Sequence, residues 1–441
     1  MNLSQENTLP PIDQGAIDSD PEANTDAPFP VVGIAASAGG LEAFIQLLKP
    51  LPPDTGMAFV LIQHLAADRK SLLSEILSRN TQMPVKEAEG GMAVEPNHVY
   101  IIAPNTKLLL LEGLLRLLPR EKINGKYMPA DAFFDSLAVD RANKAIGVVL
   151  SGADGDGALG LMTIKASGGV TFAQCEGTAK FEGMPTSAVA TGNVDFVLPP
   201  EEIARELANL SHHSFLAGSI PVTIVEAAPE PGSALATIFG LLKATAGVDF
   251  SQYKAATLNR RMQRRMVLYK MERLEDYAQY LLDHPAEVKA LYEEILIHVT
   301  SFFRDLEAFE RLKEYVFPTI THNKSAEVPI RIWVAGCSTG EEVYSIAICL
   351  LEFLGDRVIP PAIQIFATDI SESAIGKARS GFYLENQMLG VSEERRRRFF
   401  VSVEGSGYRI CKAVRELCVF ARQNLGIDPP FSNLDLIAAA M

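Results

Sequence analysis

Ser37 stands in a run of very small residues, Ala35-Ala36-Ser37-Ala38-Gly39-Gly40, that follows the apolar Val31–Ile34 and precedes Leu41, Phe44, Leu47 and Leu48 at helical spacing. A hydroxyl held at such a strand-to-helix turn can act as a nucleophile, because the free N–H groups and positive dipole end of the new helix lie beside it to receive an oxyanion. The same glycine-rich turn suits a phosphate or plain close packing. The readings separate on whether a base and an orienting carboxylate reach the same place. His64 follows the apolar run Met57–Ile62, and Asp154 and Asp156 follow the apolar run Ala145–Leu150. Short apolar runs of this kind predict strands buried on both faces of a parallel sheet. Residues just beyond the carboxyl ends of such strands converge on one crevice, so an alcohol, an imidazole and a carboxylate meet there. Taken singly, a histidine after a strand is an ordinary loop residue and an aspartate between glycines is turn chemistry; their coincidence points to a catalytic triad. The ordinary α/β-hydrolase elbow does not fit. That fold supplies its partners in the order Ser, Asp, His, whereas the order here is Ser, His, Asp.

A second constellation lies in the last third. Arg331-Ile-Trp-Val-Ala-Gly-Cys-Ser-Thr-Gly-Glu-Glu-Val-Tyr344 reads as a strand, a small-residue turn and a helix, and the next apolar run, Ile363–Thr368, ends in Asp369. A glycine-rich first turn with a carboxylate ending the second strand suits a nucleoside, the acid accepting hydrogen bonds from ribose hydroxyls. Glu341 and Glu342 put negative charge where a dinucleotide would need N–H groups for its pyrophosphate. S-adenosylmethionine, a cation without phosphate, fits that acidic mouth better.

The elements that must position these residues can be read from pattern. A chain of 441 residues suggests roughly three domains. Residues 1–28 are acidic, Pro-rich and without Lys or Arg, and are expected to be disordered. Leu108–Leu118 is apolar but interrupted by Glu112, Gly113 and Arg116, which predicts a hairpin rather than a membrane span. Residues 211–233 lose periodicity around His212, His213 and Pro229-Glu-Pro-Gly232 and read as an exposed linker. Helices follow over 257–271, with Arg260, Arg261, Arg264 and Arg265 on one face, and over 276–297. Neither a signal peptide nor a spanning segment is evident, and five scattered cysteines suit a reducing cytoplasm without a zinc site. The net charge of −14 argues against a general nucleic-acid binder.

Residues 31–210 resemble the chemotaxis protein-glutamate methylesterases (CheB-like) in several ordered blocks. These are the serine turn, Gln63-His64, Val99 to Pro104, Pro129 to Ser136, Leu150 to Ala158 and Gly183-Met184-Pro185. The resemblance implies Ser37 as nucleophile, His64 as general base and Asp156, rather than Asp154, as its orienting partner. It further implies hydrolysis of γ-glutamyl methyl esters on a methyl-accepting receptor, with deamidation of glutamine at the same positions. Stand-alone members carry an N-terminal receiver domain for which residues 1–28 leave no room, so activity is expected to be controlled by other means or to be constitutive.

From about Ala234 onward the chain resembles the chemotaxis receptor methyltransferases (CheR-like), through Thr300-Ser-Phe-Phe-Arg304, Ala335-Gly-Cys-Ser-Thr-Gly-Glu-Glu342, Thr368-Asp369 and Gln423-Asn-Leu425. The resemblance implies that Thr300, Arg304, Glu341, Asp369, Asn424 and Leu425 contact S-adenosylmethionine. Asn433–Ile437 reads as the fourth strand of the methyltransferase sheet, after which the family continues and this sequence ends, so a partial sheet with impaired methyl transfer is expected. The arginine face of 257–271 is then either a solvated surface or a docking face for a glutamate-rich receptor helix.

The expected fold is α/β with an all-α insert: a doubly wound parallel sheet over 29–210, a linker over 211–233, an all-α subdomain over 234–318 and a partial Rossmann-like sheet over 319–441. The expected activity is a cytoplasmic serine carboxylesterase fused to a methyltransferase module. An intact bifunctional enzyme and a noncatalytic receptor-binding scaffold are the alternatives.

Overall fold

A computed structural model of the chain describes residues 29–63, 72–120, 122, 127–217, 230–296, 300–322, 324, 328–355, 361–403 and 407–439. His64, the acidic 1–28 and the 218–229 part of the linker lie outside the described residues.

The first unit is wound on β1 (Val31–Ala36), followed by α1 (Gly40–Leu48), β2 (Ala58–Gln63), α2 (Leu73–Ser78), β3 (Val85–Glu87) and β4 (Val99–Ile101). Next come the hairpin β5 (Thr106–Leu111) and β6 (Leu114–Pro119), then α3 (Pro129–Arg141), β7 (Ala145–Val149), α4 (Ala158–Ala166), β8 (Val170–Gln174), α5 (Gly183–Ala190), β9 (Phe196–Leu198) and α6 (Pro200–Ser211). Seven strands form one parallel sheet in the order β3-β4-β2-β1-β7-β8-β9. Both faces are covered, as the continuous apolar strands require. Val32 and Ile34 of β1 pack with Phe44, Leu47 and Leu207 of α1 and α6, while Val31 and Ala35 face Phe133, Phe134 and Leu161 of α3 and α4. Gly33 lets α3 lie directly on β1: a Cβ there would sit 2.8 Å from Phe134 Cε1 and 3.0 Å from Phe133 Cε1. The expected hairpin is present, and Glu112 and Gly113 both take positive φ at its turn, the geometry that matches strand twist.

After α7 (Ser214–Ala217), a four-helix unit follows: α8 (Ala234–Ala246), α9 (Ala255–Leu268), α10 (Leu274–Asp283) and α11 (Pro285–Ile295). Its core is Ile238, Leu242, Leu258, Met262, Tyr277 and Leu291. Two expectations are corrected here. The run 276–297 is not one helix, because His284 precedes Pro285 and takes extended backbone (φ −128°, ψ 77°), as the clash with a following proline ring demands. His213 is not exposed: it is 5% accessible, stacks on Phe215 at 5.4 Å and has its Nδ1 3.8 Å from Glu272.

The last unit begins with α12 (Leu306–Arg311) and α13 (Phe317–Thr321), then β10 (Ile330–Ala335), α14 (Glu341–Leu354), β11 (Ile363–Asp369), α15 (Glu372–Ser380) and β12 (Phe382–Tyr383). It continues through α16 (Glu393–Phe399), β13 (Phe400–Val403), β14 (Gly407–Ile410), α17 (Lys412–Arg415), β15 (Cys418–Arg422) and β16 (Leu436–Ala439). Its parallel sheet has the order β15-β11-β10-β16, with an antiparallel β12-β14-β13 sheet beside it.

The helical unit is fastened to the first unit by charge. Arg264, fully buried, pairs with Asp195 and with Glu294 (2.7 Å) and donates to Gly169 O at 2.7 Å. The arginines of α9 are therefore not a solvated face.

Gly33→Val is expected to force α3 off β1 and to cost roughly 1–3 kcal/mol, the usual range for overpacking. The first unit's urea midpoint, followed by far-UV circular dichroism, would fall; an unchanged midpoint would contradict the packing described.

Candidate functional site

Parallel pairing fixes where the first site forms. Ala36 of β1 lies opposite Gln63 of β2, and Ala35 lies opposite Val149 of β7, so the chain leaves all three strands at one edge. Ser37 is the first residue past β1; its N–H donates to Ser151 O at 3.0 Å and its carbonyl accepts from Gly40 N at 3.0 Å. Gly39 closes the turn at φ 73°, and a Cβ there would strike Ser151 Oγ at 2.7 Å. Only glycine meets both conditions. Ser151 Oγ also donates to Ala38 O at 2.9 Å and accepts from Phe181 N at 3.0 Å, tying the serine turn to the turn after β7. Gly152 packs on Ser37, where a Cβ would lie 3.1 Å from Ser37 Cβ. Among the described residues the Ala38 and Gly39 amides have no hydrogen-bond partner.

Asp156 and Asp154 differ sharply. Asp154 is exposed and its Oδ1 accepts from Asp156 N at 3.2 Å, a local turn bond. Asp156 is fully buried, and its two oxygens accept from Ala130 N (2.9 Å) and Asp131 N (3.0 Å) in the first turn of α3. Two amides at the start of a helix thus hold the carboxylate in place. Asp131, which the sequence did not single out, completes the arrangement: its Oδ1 accepts from Gly160 N at 2.7 Å in the first turn of α4. Burial, then the neighbouring Asp156 carboxylate, push the Asp131 carboxyl well above the usual range. The signal in the sequence was an acid two residues after Pro129, where helices commonly begin.

In the last unit, Gly336, Ser338 and Gly340 all take positive φ in the turn between β10 and α14. Asp369 accepts from Ser338 N at 2.8 Å and from Ser371 N at 2.9 Å, so it braces that turn as well as ending β11. Glu341 opens α14 at 2% exposure, accepts from Thr339 Oγ1 at 2.6 Å, and is pushed up to about 7 by burial. Thr300 and Glu341 line one cavity of about 550 Å³ together with Thr339. Asn424 and Leu425 lie beyond β15 at the same sheet edge as Asp369, to whose carbonyl Gln423 N donates at 3.0 Å. Asn424 caps a local turn by accepting from Gly426 N at 3.0 Å, and Leu425 is 57% exposed. Arg304 is exposed, and its charge acts on the carboxyls of Glu342 and of Asp135 in α3. The structure therefore draws Thr300 and Glu341 to one cavity and couples Asp369 to their turn, while Arg304, Asn424 and Leu425 are outside that lining.

Residues 32–207 match the CheB methylesterase family, 233–296 the all-alpha domain of CheR methyltransferases and 298–440 the SAM-binding domain of the same family. The first unit belongs to the CheB methylesterase family, and the later units are similar to the two CheR methyltransferase domains. The chain joins a CheB methylesterase unit to the helical and SAM-binding units of a CheR methyltransferase. An uncharacterized 104.1 kDa protein in the hypE 3′ region of Rhodobacter capsulatus is 35% identical over 384 residues, covering 83% of this chain and 40% of that protein. A protein-glutamate methylesterase/protein-glutamine glutaminase 2 of Burkholderia lata is 38% identical over 178 residues, 40% of this chain and 52% of that protein. The crystal structure of the Thermotoga maritima CheB methylesterase catalytic domain is 32% identical, covers 42% of this chain and 100% of that one, and superposes with a TM-score of 0.40. The chain thus spans about half the length, or less, of the curated relatives named.

Glu341 carries a testable signature. Its folded value of about 7 exceeds the ordinary 4.5, so the native state holds the proton more tightly and stability falls as pH rises from about 4.5 through about 7. Thermal unfolding of the methyltransferase unit, read by the fluorescence of Trp333, should weaken over that window in the native chain and not in Glu341→Gln.

Proposed function

We propose that the methylesterase unit hydrolyses γ-glutamyl methyl esters on a methyl-accepting receptor, and deamidates glutamine at such positions, with Ser37 as nucleophile. The observation that carries this reading is the serine turn bonded to the turn after β7, five residues ahead of a buried Asp156 held by two helix amides. Ser37 Oγ attacks the ester carbonyl while His64, whose chain position directly follows the strand partner of Ala36, takes the hydroxyl proton. Asp156 holds the imidazole in the tautomer that accepts at its far nitrogen. The tetrahedral oxygen is received by the Ala38 and Gly39 amides, each worth ~3 kcal/mol. The proton returns to the leaving methoxide and methanol departs. Water then repeats the sequence against the acyl-enzyme, leaving a glutamate carboxylate and the free serine.

The last unit is proposed to hold S-adenosylmethionine, whose sulfonium supplies an electrophilic methyl group. The donor set fits. Asp369 has lone pairs left for ribose hydroxyls after its two backbone bonds, and the positive-φ turn allows close backbone approach. Glu341 presents a carboxyl to the ligand's cationic end, with Thr300, Arg304, Asn424 and Leu425 proposed around it. Among the described residues no helix is long and apolar enough to cross a membrane.

Two experiments test these readings separately. Methanol release from a methylated receptor fragment should fall by roughly 10³-fold or more in Ser37→Ala, and undiminished release would refute the nucleophile. Calorimetric binding of S-adenosylmethionine should be abolished in Asp369→Ala; no binding to the unaltered chain would refute the cofactor site.

A further inference from the structure

The cavity of about 550 Å³ belongs to no single unit. Thr300, Thr339 and Glu341 line it from the last unit, and Met162, Lys165 and Asn193, from α4 and the turn before β9, line it from the methylesterase unit. Neither proposed reaction uses the latter three. A cavity of this size suits one molecule with the dimensions of a nucleoside, and such a site buries most of its ligand against the walls around it. Whatever fills it touches both units. The contact beside the cavity is close: a Cβ on Gly155 would lie 3.7 Å from Asn386 Cβ and 3.3 Å from Ser187 Oγ, so the last unit reaches the turn between Asp154 and Asp156. Arg304 acts across the same gap. Burial raises the carboxyls of Asp135 in α3 and Glu342 in α14, and the positive charge of Arg304 opposes the rise at both.

We propose that the methylesterase unit supplies one wall of the methyl donor's site, so that Met162, Lys165 and Asn193 contact S-adenosylmethionine held by the last unit. The inference rests on the cofactor reading above. The two walls complement such a ligand. Its amino-acid end carries both signs of charge, and the cavity offers the Lys165 ammonium from one side and the Glu341 carboxyl from the other. Leu159 and Met162 add apolar surface for a purine. Lys165 approaches Asp195 only at 3.5 Å, and an ammonium has three protons to give. A ligand gripped from both sides favours the arrangement in which both sides are present, and by reciprocity that arrangement holds the donor more tightly. Occupancy by the methyl donor therefore fastens the demethylating unit to the methylating one, at a contact that reaches the Asp156 turn.

Acetylation of lysines by a succinimidyl ester, mapped by mass spectrometry on the unaltered full chain, reads this wall directly. Lys377 lines the cavity from the last unit, while Lys49, at the end of α1, is exposed and outside the lining. S-adenosylmethionine at ten times its dissociation constant leaves about one chain in eleven empty, so acetylation of both Lys165 and Lys377 should slow about tenfold relative to Lys49. Protection of Lys377 with Lys165 unchanged would overturn the inference and leave the cofactor reading standing; protection of neither would sink both. Met162→Arg, which puts a bulkier cation into the methylesterase wall, should weaken calorimetric binding of the donor about tenfold. Unchanged affinity in that variant would equally overturn the inference.

Discussion

The register of β2, β1 and β7 is the constraint on which the first site depends. A parallel sheet with both faces buried cannot slip by one residue without turning its side chains inside out, so opposing Ala36 to Gln63 and Ala35 to Val149 fixes which residues emerge together. What emerges is then shaped by size. Gly39 and Gly152 leave room for two turns to touch, and Ser151 bonds across the gap. Behind them, Asp156 caps α3 while Asp131 of α3 caps the first turn of α4. Two helix starts thus hold each other's acids, and a buried carboxylate is kept in place by backbone rather than by flexible cations.

The same logic recurs in the methyltransferase unit with different chemistry. A carboxylate at the end of β11 braces the turn after β10, and an acid at the start of α14 is buried deeply enough to titrate near neutrality. Between the first unit and the helical unit, α9 supplies the joint. Its arginines reach backbone carbonyls and Asp195 of the first unit and the acids Glu287 and Glu294 of α11, while Val267 packs into the first unit's core. Breaking one partner of such a cluster leaves the other buried and unpaired, which typically costs several kcal/mol.

Much of the fold is legible in the sequence because its signals are local. Apolar runs give the buried strands, the Glu112-Gly113 pair gives the hairpin, and small residues mark the turns after β1 and β10. The break between α10 and α11 is equally local, and Pro285 announces it; period alone conceals it. What escapes is whatever depends on partners distant in sequence. The pattern of Arg260, Arg261, Arg264 and Arg265 defines a basic face but not that Asp195, some 69 positions from Arg264, neutralises it. His213 looks solvent-bound beside Ser211 and His212, yet Phe215 and Glu272 enclose it. Asp131 has the composition of an ordinary first-turn acid, and its contact with Gly160 exists only once α3 lies on α4. For the site, spacing names Ser37 and the two acids Asp154 and Asp156 as residues past strand ends, the resemblance chooses Asp156, and the hydrogen-bond partners come from packing.

The central claim is that a hydroxyl at the end of β1 is activated through a carboxylate braced behind it. A fluorophosphonate probe followed by peptide mass mapping tests it without a receptor. The account predicts a single phosphonyl adduct, on Ser37, forming much more slowly when Asp156 is replaced by alanine. No adduct on Ser37, or labelling at the same rate in the Asp156→Ala chain, would contradict it.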